Sequence, residues 1–173
     1  MTYDEPRAPN NFVYHKGDVI DAALSSEYDV FAHGCNCFNT MGAGVALQVK
    51  NRIPEMYITD QNYEISSEDR LGLYSGVLIN NGSTYGVNLY TQYHYDRTSK
   101  RNFNYGSIIS AISRVIYELE HVTGVYKPFV KVCLPRIGAG LARGDWEIIE
   151  EMLTYHEFHC KVEFHVYDFD PQF

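Results

Sequence analysis

Tyr28-Asp29-Val30-Phe31-Ala32-His33 runs directly into Gly34-Cys35-Asn36-Cys37-Phe38-Asn39-Thr40-Met41-Gly42-Ala43-Gly44-Val45, an apolar run followed by a glycine-rich turn. A second stretch repeats the pattern: Phe129-Val130-Lys131-Val132-Cys133-Leu134 feeds Pro135-Arg136-Ile137-Gly138-Ala139-Gly140-Leu141. A helix-like stretch follows each turn. Bare backbone at the start of a helix lets a phosphate approach closely, and free N–H groups and the helix dipole favour the anion. Two such loops in one small chain point to a diphosphate held from both sides, and so to a nucleotide-like ligand.

Outward from these turns, strands and helices alternate. Phe12-Val13-Tyr14-His15 reads as a first strand, ended by Lys16-Gly17-Asp18. Residues 28–33 form the second strand, with His33 at its end. Residues 43–53 read as a helix that stops before Pro54, and Pro54 suits the first turn of another over 55–63. Two β-rich runs, 73–79 and 84–90, flank Asn80-Asn81-Gly82-Ser83, a strong hairpin signal. Residues 92–105 are polar, aromatic and basic, and read as an exposed loop. Ile108, Ile109, Ile112, Val115, Ile116 and Leu119 follow a helical period, with Gly124 where the helix would end. Asp145 suits the cap of a helix bearing Trp146, Ile149, Met152 and Leu153. Residues 162–167 read as a last strand. The order implies an α/β fold with a mixed sheet covered by helices on both faces. If the strands before the two glycine turns are parallel neighbours, both turns lie at one edge, outside the carboxyl ends of the strands, where such folds bind ligands.

The chain has 173 residues and 45% of them are hydrophobic, so one domain with a real core is expected. Residues 1–10 hold Pro6 and Pro9 and little apolar content, and read as a flexible tail. A net charge of −8 argues against a broad nucleic-acid surface, which needs clustered Lys and Arg. A small anion is still compatible, because backbone amides bind phosphate without a cationic side chain. No signal peptide and no membrane-length apolar run is evident, so the expectation is a cytoplasmic monomer with its four cysteines reduced. Cys35 and Cys37 beside His33 lack the spaced Cys-x-x-Cys pairs of a zinc site, so no metal is expected. The first turn is not a Walker loop, because no Gly-Lys-Ser or Gly-Lys-Thr follows. It is a poor dinucleotide fingerprint, because no third glycine stands at the right offset.

Four segments together carry a family resemblance: Lys16-Gly17-Asp18-Val19-Ile20, the stretch from Ala32-His33 to Gly44-Val45-Ala46, Asn88-Leu89-Tyr90-Thr91-Gln92, and Leu134 to Leu141 with Asp145-Trp146. The chain resembles a macro domain, the ADP-ribose-binding fold. It is similar to the branch of the ADP-ribose-1″-phosphate phosphatases, the terminal ADP-ribose glycohydrolases and the DNA-ADP-ribose hydrolase antitoxins. The resemblance implies a three-layer α/β/α domain over residues 11–173. Asp18, with Val19, would meet the adenine, although an Asp after a strand-ending glycine is more often a turn or cap residue. Amides near Gly42, Ala43, Gly44 and Val45 would hold one phosphate. Those near Ile137, Gly138, Ala139, Gly140 and Leu141 would hold the other. Asn36 would face the distal ribose, with a loop Asn bonding its own backbone as the simpler role. Tyr90 or the Tyr93–Tyr95 cluster would wall the pocket.

The segment His33-Gly34-Cys35-Asn36-Cys37 is most similar to the phosphatase members, which place a catalytic His at this position. A structural His bonded to backbone is the alternative, and catalysis would then fall to Asn36, Asp145 or bound water. Two departures count against the glycohydrolase chemistry. Gln92 stands where those members carry a Lys, and Ala142 stands where they carry an Asp. The expectation is hydrolysis of ADP-ribose 1″-phosphate without a metal or cofactor. Two alternatives remain: a non-catalytic ADP-ribose reader, and an ADP-ribosyl hydrolase acting on protein or nucleic acid.

Overall fold

The computed structural model describes residues 8–96 and 100–169. Among them, one mixed sheet holds β1 (Asn11–Lys16), β2 (Val30–Asn36), β3 (Tyr74–Ile79), β4 (Thr84–Gln92), β5 (Phe129–Leu134) and β6 (Lys161–Asp168). The helices are α1 (Val19–Leu24), α2 (Gly44–Arg52), α3 (Pro54–Gln61), α4 (Tyr105–Thr123) and α5 (Trp146–Tyr155). The strand order is β1-β6-β5-β2-β4-β3. Every pairing is parallel except β3 with β4, the hairpin that the Asn-Gly signal marks. At its tip Asn80, Asn81 and Gly82 all take positive φ, the conformation for which Asn and Gly are suited.

Two apolar layers sandwich the sheet. On one face α4 and α5 place Ile108, Ile112, Val115, Trp146, Ile149 and Leu153 against Val30, Val87, Val132 and Phe164. On the other, α1, α2 and α3 place Ile20, Val49 and Met56 against Phe31, Cys35 and Cys133. This is the expected α/β/α layering. The caps follow side-chain chemistry. Asn104 accepts from the Ser107 amide at α4, Asp145 accepts from the Glu147 amide at α5, and Gly124 ends α4 at φ 73°.

Several expectations shift. The second strand does not stop at His33 but continues through Asn36, with a bulge between Cys35 and Asn36. A short helix, α1, opens at Val19 with Asp18 as its N-cap, the simpler of the roles expected for that residue. Of the apolar side chains within α2, Val49 alone is buried, because this helix lies at the rim of the sheet. The second glycine turn does not itself open a helix: α5 begins at Trp146, five residues after Leu141. Of the expected tail, residues 1–7 lie outside the described residues. Asn10 is buried, and its side chain donates to the carbonyls of Leu153 and His156 at 2.8 Å each.

The stretch 92–105 is not all exposed loop. Phe103 is buried, pairs its backbone with Gln92, and donates its amide to Ala142 O at 3.1 Å. Its ring fills the space under the second glycine turn: a Cβ on Gly138 would lie 2.3 Å from it, and one on Gly144 2.9 Å. Glycine at 138 and 144 therefore lets the turn settle onto the ring. Phe103→Ala should remove that support and destabilise the fold by about 3–5 kcal/mol, the usual cost of truncating a buried aromatic. Urea denaturation of wild type and variant measures it, and a loss within 1 kcal/mol, on the order seen for surface changes, would contradict this packing role.

Candidate functional site

A cleft of about 560 Å³ opens along the carboxyl edge of the sheet. That volume suits a small-molecule ligand. Its floor is Gly34, Cys35 and Asn36 at the end of β2, with Thr91 and Gln92 at the end of β4. One wall is Thr40 to Ala46; the other is Pro135 to Gly138 with Gly140 to Ala142. A Cβ on Gly34 would lie 2.8 Å from Ile137 and 2.9 Å from Thr91 Oγ1, so a glycine here lets the second turn settle on the floor beside β4.

The first wall ends in an uncapped helix. Ala43 is the N-cap of α2 and offers no side-chain acceptor. The first helical backbone bond runs from Leu47 N to Ala43 O, so the amides of Gly44, Val45 and Ala46 precede it. All three residues line the cleft. In the second wall, Ile137 N donates to Pro135 O and Ala139 N to Arg136 O. Those two expected phosphate donors are thus engaged in the turn itself. The amides of Gly138, Gly140 and Leu141 find no backbone acceptor among the described residues. Among the described residues, the cleft is therefore lined on both sides by N–H groups without a backbone acceptor, the arrangement that binds anions.

Its side-chain charges are few. Arg136 is the one Lys or Arg among the described lining residues, and Asp60 and Asp96 are the acids. Asp60 is only 1% exposed. It accepts from Tyr90 Oη at 2.7 Å and lies 4.0 Å from Arg70 Nη1. Burial raises its pKa, opposed by the Tyr90 hydrogen bond and the Arg70 charge. Arg70 itself is buried and donates to Asn39 Oδ1, Ile65 O and Tyr63 O, while Gln61 donates to Asn39 O. Asn39, at φ 58°, is thereby held in the first wall.

The structure sorts the sequence-predicted residues into two groups. Asn36, Gly42, Ala43, Gly44, Val45, Ile137, Gly138, Gly140 and Leu141 line the cleft, as do Gln92 and Ala142. Asn36 also braces its own loop, accepting from Phe38 N at 2.8 Å and donating to Thr40 Oγ1 at 2.6 Å. Tyr95 of the Tyr93–Tyr95 cluster lines the mouth. His33, Tyr90, Asp18, Val19, Ala139 and Asp145 are outside the lining. Val19 is core, and Tyr90 is buried against Asp60 and Ser75. Asp145 caps α5. Asp18 caps α1 through Ile20 N at 2.8 Å and pairs with Arg52 Nη1 at 2.6 Å.

His33 carries the clearest correction. Its side chain lies on the α3 face of the sheet, fully buried, with Nε2 donating to Asn88 Oδ1 at 2.6 Å. Asn88 in turn donates to Met56 O and Ser75 Oγ. Burial drives the imidazole pKa from 6.5 to about 4, with the Asn88 hydrogen bond opposing. The neutral imidazole lies behind the floor, its Nε2 3.6 Å from the Sγ of Cys35, and is not itself among the residues that line the cleft. Cys35, also buried, has its thiol pKa pushed well up by burial, which keeps it from acting as a thiolate. Among the described residues, no group of three His, Cys, Asp or Glu side chains is placed to hold a metal ion, and no helix is long and apolar enough to cross a membrane.

Sequence reasoning missed Asp60 and Arg136. Asp60 carries no local signal, since its burial arises from Tyr90 and Arg70, distant in sequence. Arg136 stands inside the second turn, and being the cation of that turn was the available signal.

No protein-family model matches the chain. It is 36% identical over 163 residues to an uncharacterized 17.5 kDa protein of Enterobacteria phage T4, covering 91% of this chain and 96% of that protein. It is 30% identical over 145 residues to a DNA ADP-ribosyl glycohydrolase of Mycobacterium tuberculosis, covering 82% of this chain but only 37% of that protein's length. It is 26% identical over 175 residues to an ADP-ribose 1″-phosphate phosphatase of Debaryomyces hansenii, covering 86% of this chain and 96% of that protein. Among solved structures, a Bacteroides thetaiotaomicron protein superposes with a TM-score of 0.74 at 25% identity, over 91% of this chain and 99% of that one. The macrodomain of Mycobacterium tuberculosis DarG superposes with a TM-score of 0.61 at 23% identity, over 90% and 97%.

The buried imidazole has a measurable consequence. Its proton is bound more tightly in the unfolded chain, at the ordinary value of 6.5, than in the fold, at about 4. Its contribution to stability is therefore complete above pH 6.5 and is lost as pH falls from 6.5 toward 4, by about 3 kcal/mol in all. Denaturation at a series of pH values should show that loss, and His33→Gln should flatten the curve in the same window. An equally steep curve in the variant would place the titration elsewhere.

Proposed function

The chain has the macrodomain fold, shared with the macrodomain of Mycobacterium tuberculosis DarG over 90% of its length, and on that premise we propose that it belongs to the macro-domain family and that its cleft binds ADP-ribose. The observation that carries this reading is the pair of facing loops. The amides of Gly44, Val45 and Ala46 lie on one side, and those of Gly138, Gly140 and Leu141 on the other. A diphosphate set between them would receive N–H donors on both phosphates, aided by the dipole of α2. This accounts for an anionic ligand in a chain of net charge −8 whose cleft has one cation among the described residues. Asn36 and Gln92 at the β2–β4 end then face the distal ribose as neutral hydrogen-bonding groups.

A second reading, hydrolysis of ADP-ribose 1″-phosphate, is favoured by one observation. The yeast phosphatase is matched along 96% of its length, so its whole chain corresponds to this domain. Water would attack the phosphorus, the bond to the sugar oxygen would break, and the loop amides would stabilise charge on the phosphoryl oxygens. His33 takes no part. Among the described residues, the carboxylates that line the cleft, Asp60 and Asp96, are the side chains able to accept the water's proton and to return it to the departing sugar oxygen. Gln92 and Ala142 offer no nucleophile or base, which disfavours removal of ADP-ribose from protein or DNA by the lysine and aspartate chemistry of the similar hydrolases.

ADP-ribose should bind with micromolar affinity, on the order of −8 kcal/mol, and AMP much more weakly. Calorimetry checks this, and an absence of ADP-ribose binding would sink the ligand assignment. Incubation with ADP-ribose 1″-phosphate separates the two readings: inorganic phosphate should accumulate if the domain is a phosphatase, whereas a reader binds the compound unchanged.

Gly140 supplies a sharper probe of the cleft. Among the described residues, chain neighbours aside, nothing lies within 4 Å of where its Cβ would stand, and the residue lines the cleft. Gly140→Val should therefore keep its circular dichroism and melting temperature while ADP-ribose binding falls beyond detection. Unchanged binding by the folded variant would remove the second loop from the site.

A further inference from the structure

A second cavity, of about 710 Å³, opens at the edge of the sheet where β3 has β4 as its neighbour on one side only. It straddles that edge. Ile58 of α3, with Tyr63, Glu64 and Ile65 just after it, lines one side. Tyr85 of β4, with Arg114 and Glu118 of α4, lines the other, and Tyr74, Ser75 and Gly76 of β3 lie between.

Backbone chemistry sets what this edge can bind. Tyr90 N donates to Leu73 O, and from there Tyr74 lies opposite Leu89, Ser75 opposite Asn88 and Gly76 opposite Val87. Hydrogen-bonded residues alternate along an antiparallel pair. Ser75, Val77 and Ile79 therefore bond β4, while Tyr74, Gly76 and Leu78 turn N–H and C=O to the open side. Among the described residues no other backbone group meets them. Such a two-residue repeat of donors and acceptors is complementary to another extended backbone. Sheet edges are commonly blunted by charge or proline. β1, at the opposite edge, follows Pro9 and ends in Lys16, whereas Tyr74-Ser75-Gly76-Val77-Leu78-Ile79 holds neither.

The walls decide which extended backbone fits. Tyr74 is 9% exposed and Ser75 4%, so this part of the strand is sunk between the two helix layers. A second copy would bring an edge sunk to the same depth, with its own helices standing in front. A single peptide strand enters without that collision. Its side chains alternate between the two walls. The α3 wall offers Ile58 and Ile65, both exposed. The α4 wall is polar: the Tyr85 hydroxyl donates to that of Tyr74 at 3.3 Å, and Tyr74 donates to Glu118. A Cβ on Gly76 would lie 2.6 Å from the Tyr85 ring, so glycine there makes room for this wall. Glu64 and Glu118 against Arg114 leave the lining net acidic.

We propose that the β3 edge is a docking site for an extended peptide, which adds a strand to the sheet with apolar side chains toward α3 and basic ones toward α4. The site is separate from the cleft and does not depend on what the cleft binds.

The test titrates the isotope-labelled full chain with synthetic hexapeptides of one composition and charge, read by the amide signals of Tyr74, Gly76 and Leu78. A capped peptide alternating Ile and Lys should shift these signals and slow their hydrogen exchange. A peptide with all its Ile before all its Lys should bind about tenfold more weakly, the scale of leaving an Ile side chain unburied. N-methylation of the Ile amides and of the Lys amides should differ. One form loses about tenfold or more, the scale of lost backbone hydrogen bonds, and the other binds as before, because one edge of the peptide faces β3. Ile58→Ser, checked by melting temperature, should weaken the alternating peptide severalfold. No response to that peptide at millimolar concentration overturns the proposal, as do equal affinities for the two orders or equal effects of the two methylations. Unchanged binding by Ile58→Ser removes the apolar row from α3 and overturns it as stated. A dimer in light scattering that Leu78→Lys dissolves would make a second copy the occupant and overturn it too.

Discussion

The parallel pairing between β2 and β5 is brief, and the cleft depends on that brevity. Val30 lies opposite Val132 and Phe31 opposite Cys133. Beyond them β2 keeps pairing with β4 as far as Asn36, while β5 turns away at Leu134. From β2 the chain moves outward to α2, α3 and the β3–β4 hairpin; from β5 it moves the opposite way, to β6. This is the point at which strand order reverses in an open α/β sheet, where the two connections leave a crevice between them. Both glycine loops descend from this one divergence.

Polar chemistry stiffens the floor of that crevice. Asp60, Tyr90, Ser75, Asn88 and His33 form a continuous buried chain, from Asp60 at the cleft through Tyr90 Oη and Ser75 Oγ to Asn88 and the imidazole. It crosses α3, β3, β4 and β2, so it fixes α3 to the sheet by direction as well as by apolar contact. Such networks stabilise only when each member is satisfied, and no buried side-chain N or O among the described residues lacks a partner. Through Gln61 and Arg70, the same unit holds Asn39 and so the first wall. His33 thus serves the site by supporting its floor, although it stands outside the cleft.

The proposed binding of an anion by an acidic chain rests on the same design. Amide N–H groups at a helix start and in a tight turn bring partial positive charge without the desolvation cost of a buried cation. The cation that is present, Arg136, is neutralised by Asp168.

Sequence by itself determined the alternation of elements, the Asn-Gly hairpin, the amphipathic face of α4 and the two glycine loops, because each is written in short-range pattern. Period, cap and turn chemistry act over a few residues. It also marked Asn36, Gln92 and Ala142 as positions of the site. It did not determine which way His33 faces, that Tyr90 and Val19 are interior, or that Ile137 and Ala139 turn their amides inward. Nor did it show Asp60 or the pairing of Arg136 with Asp168, 32 residues apart. These depend on β2 continuing past His33 and on which sheet face each side chain then meets. A strand alternates its side chains between faces, so whether a residue lines a cleft or enters the core is settled by long-range register and by the helix packed above it.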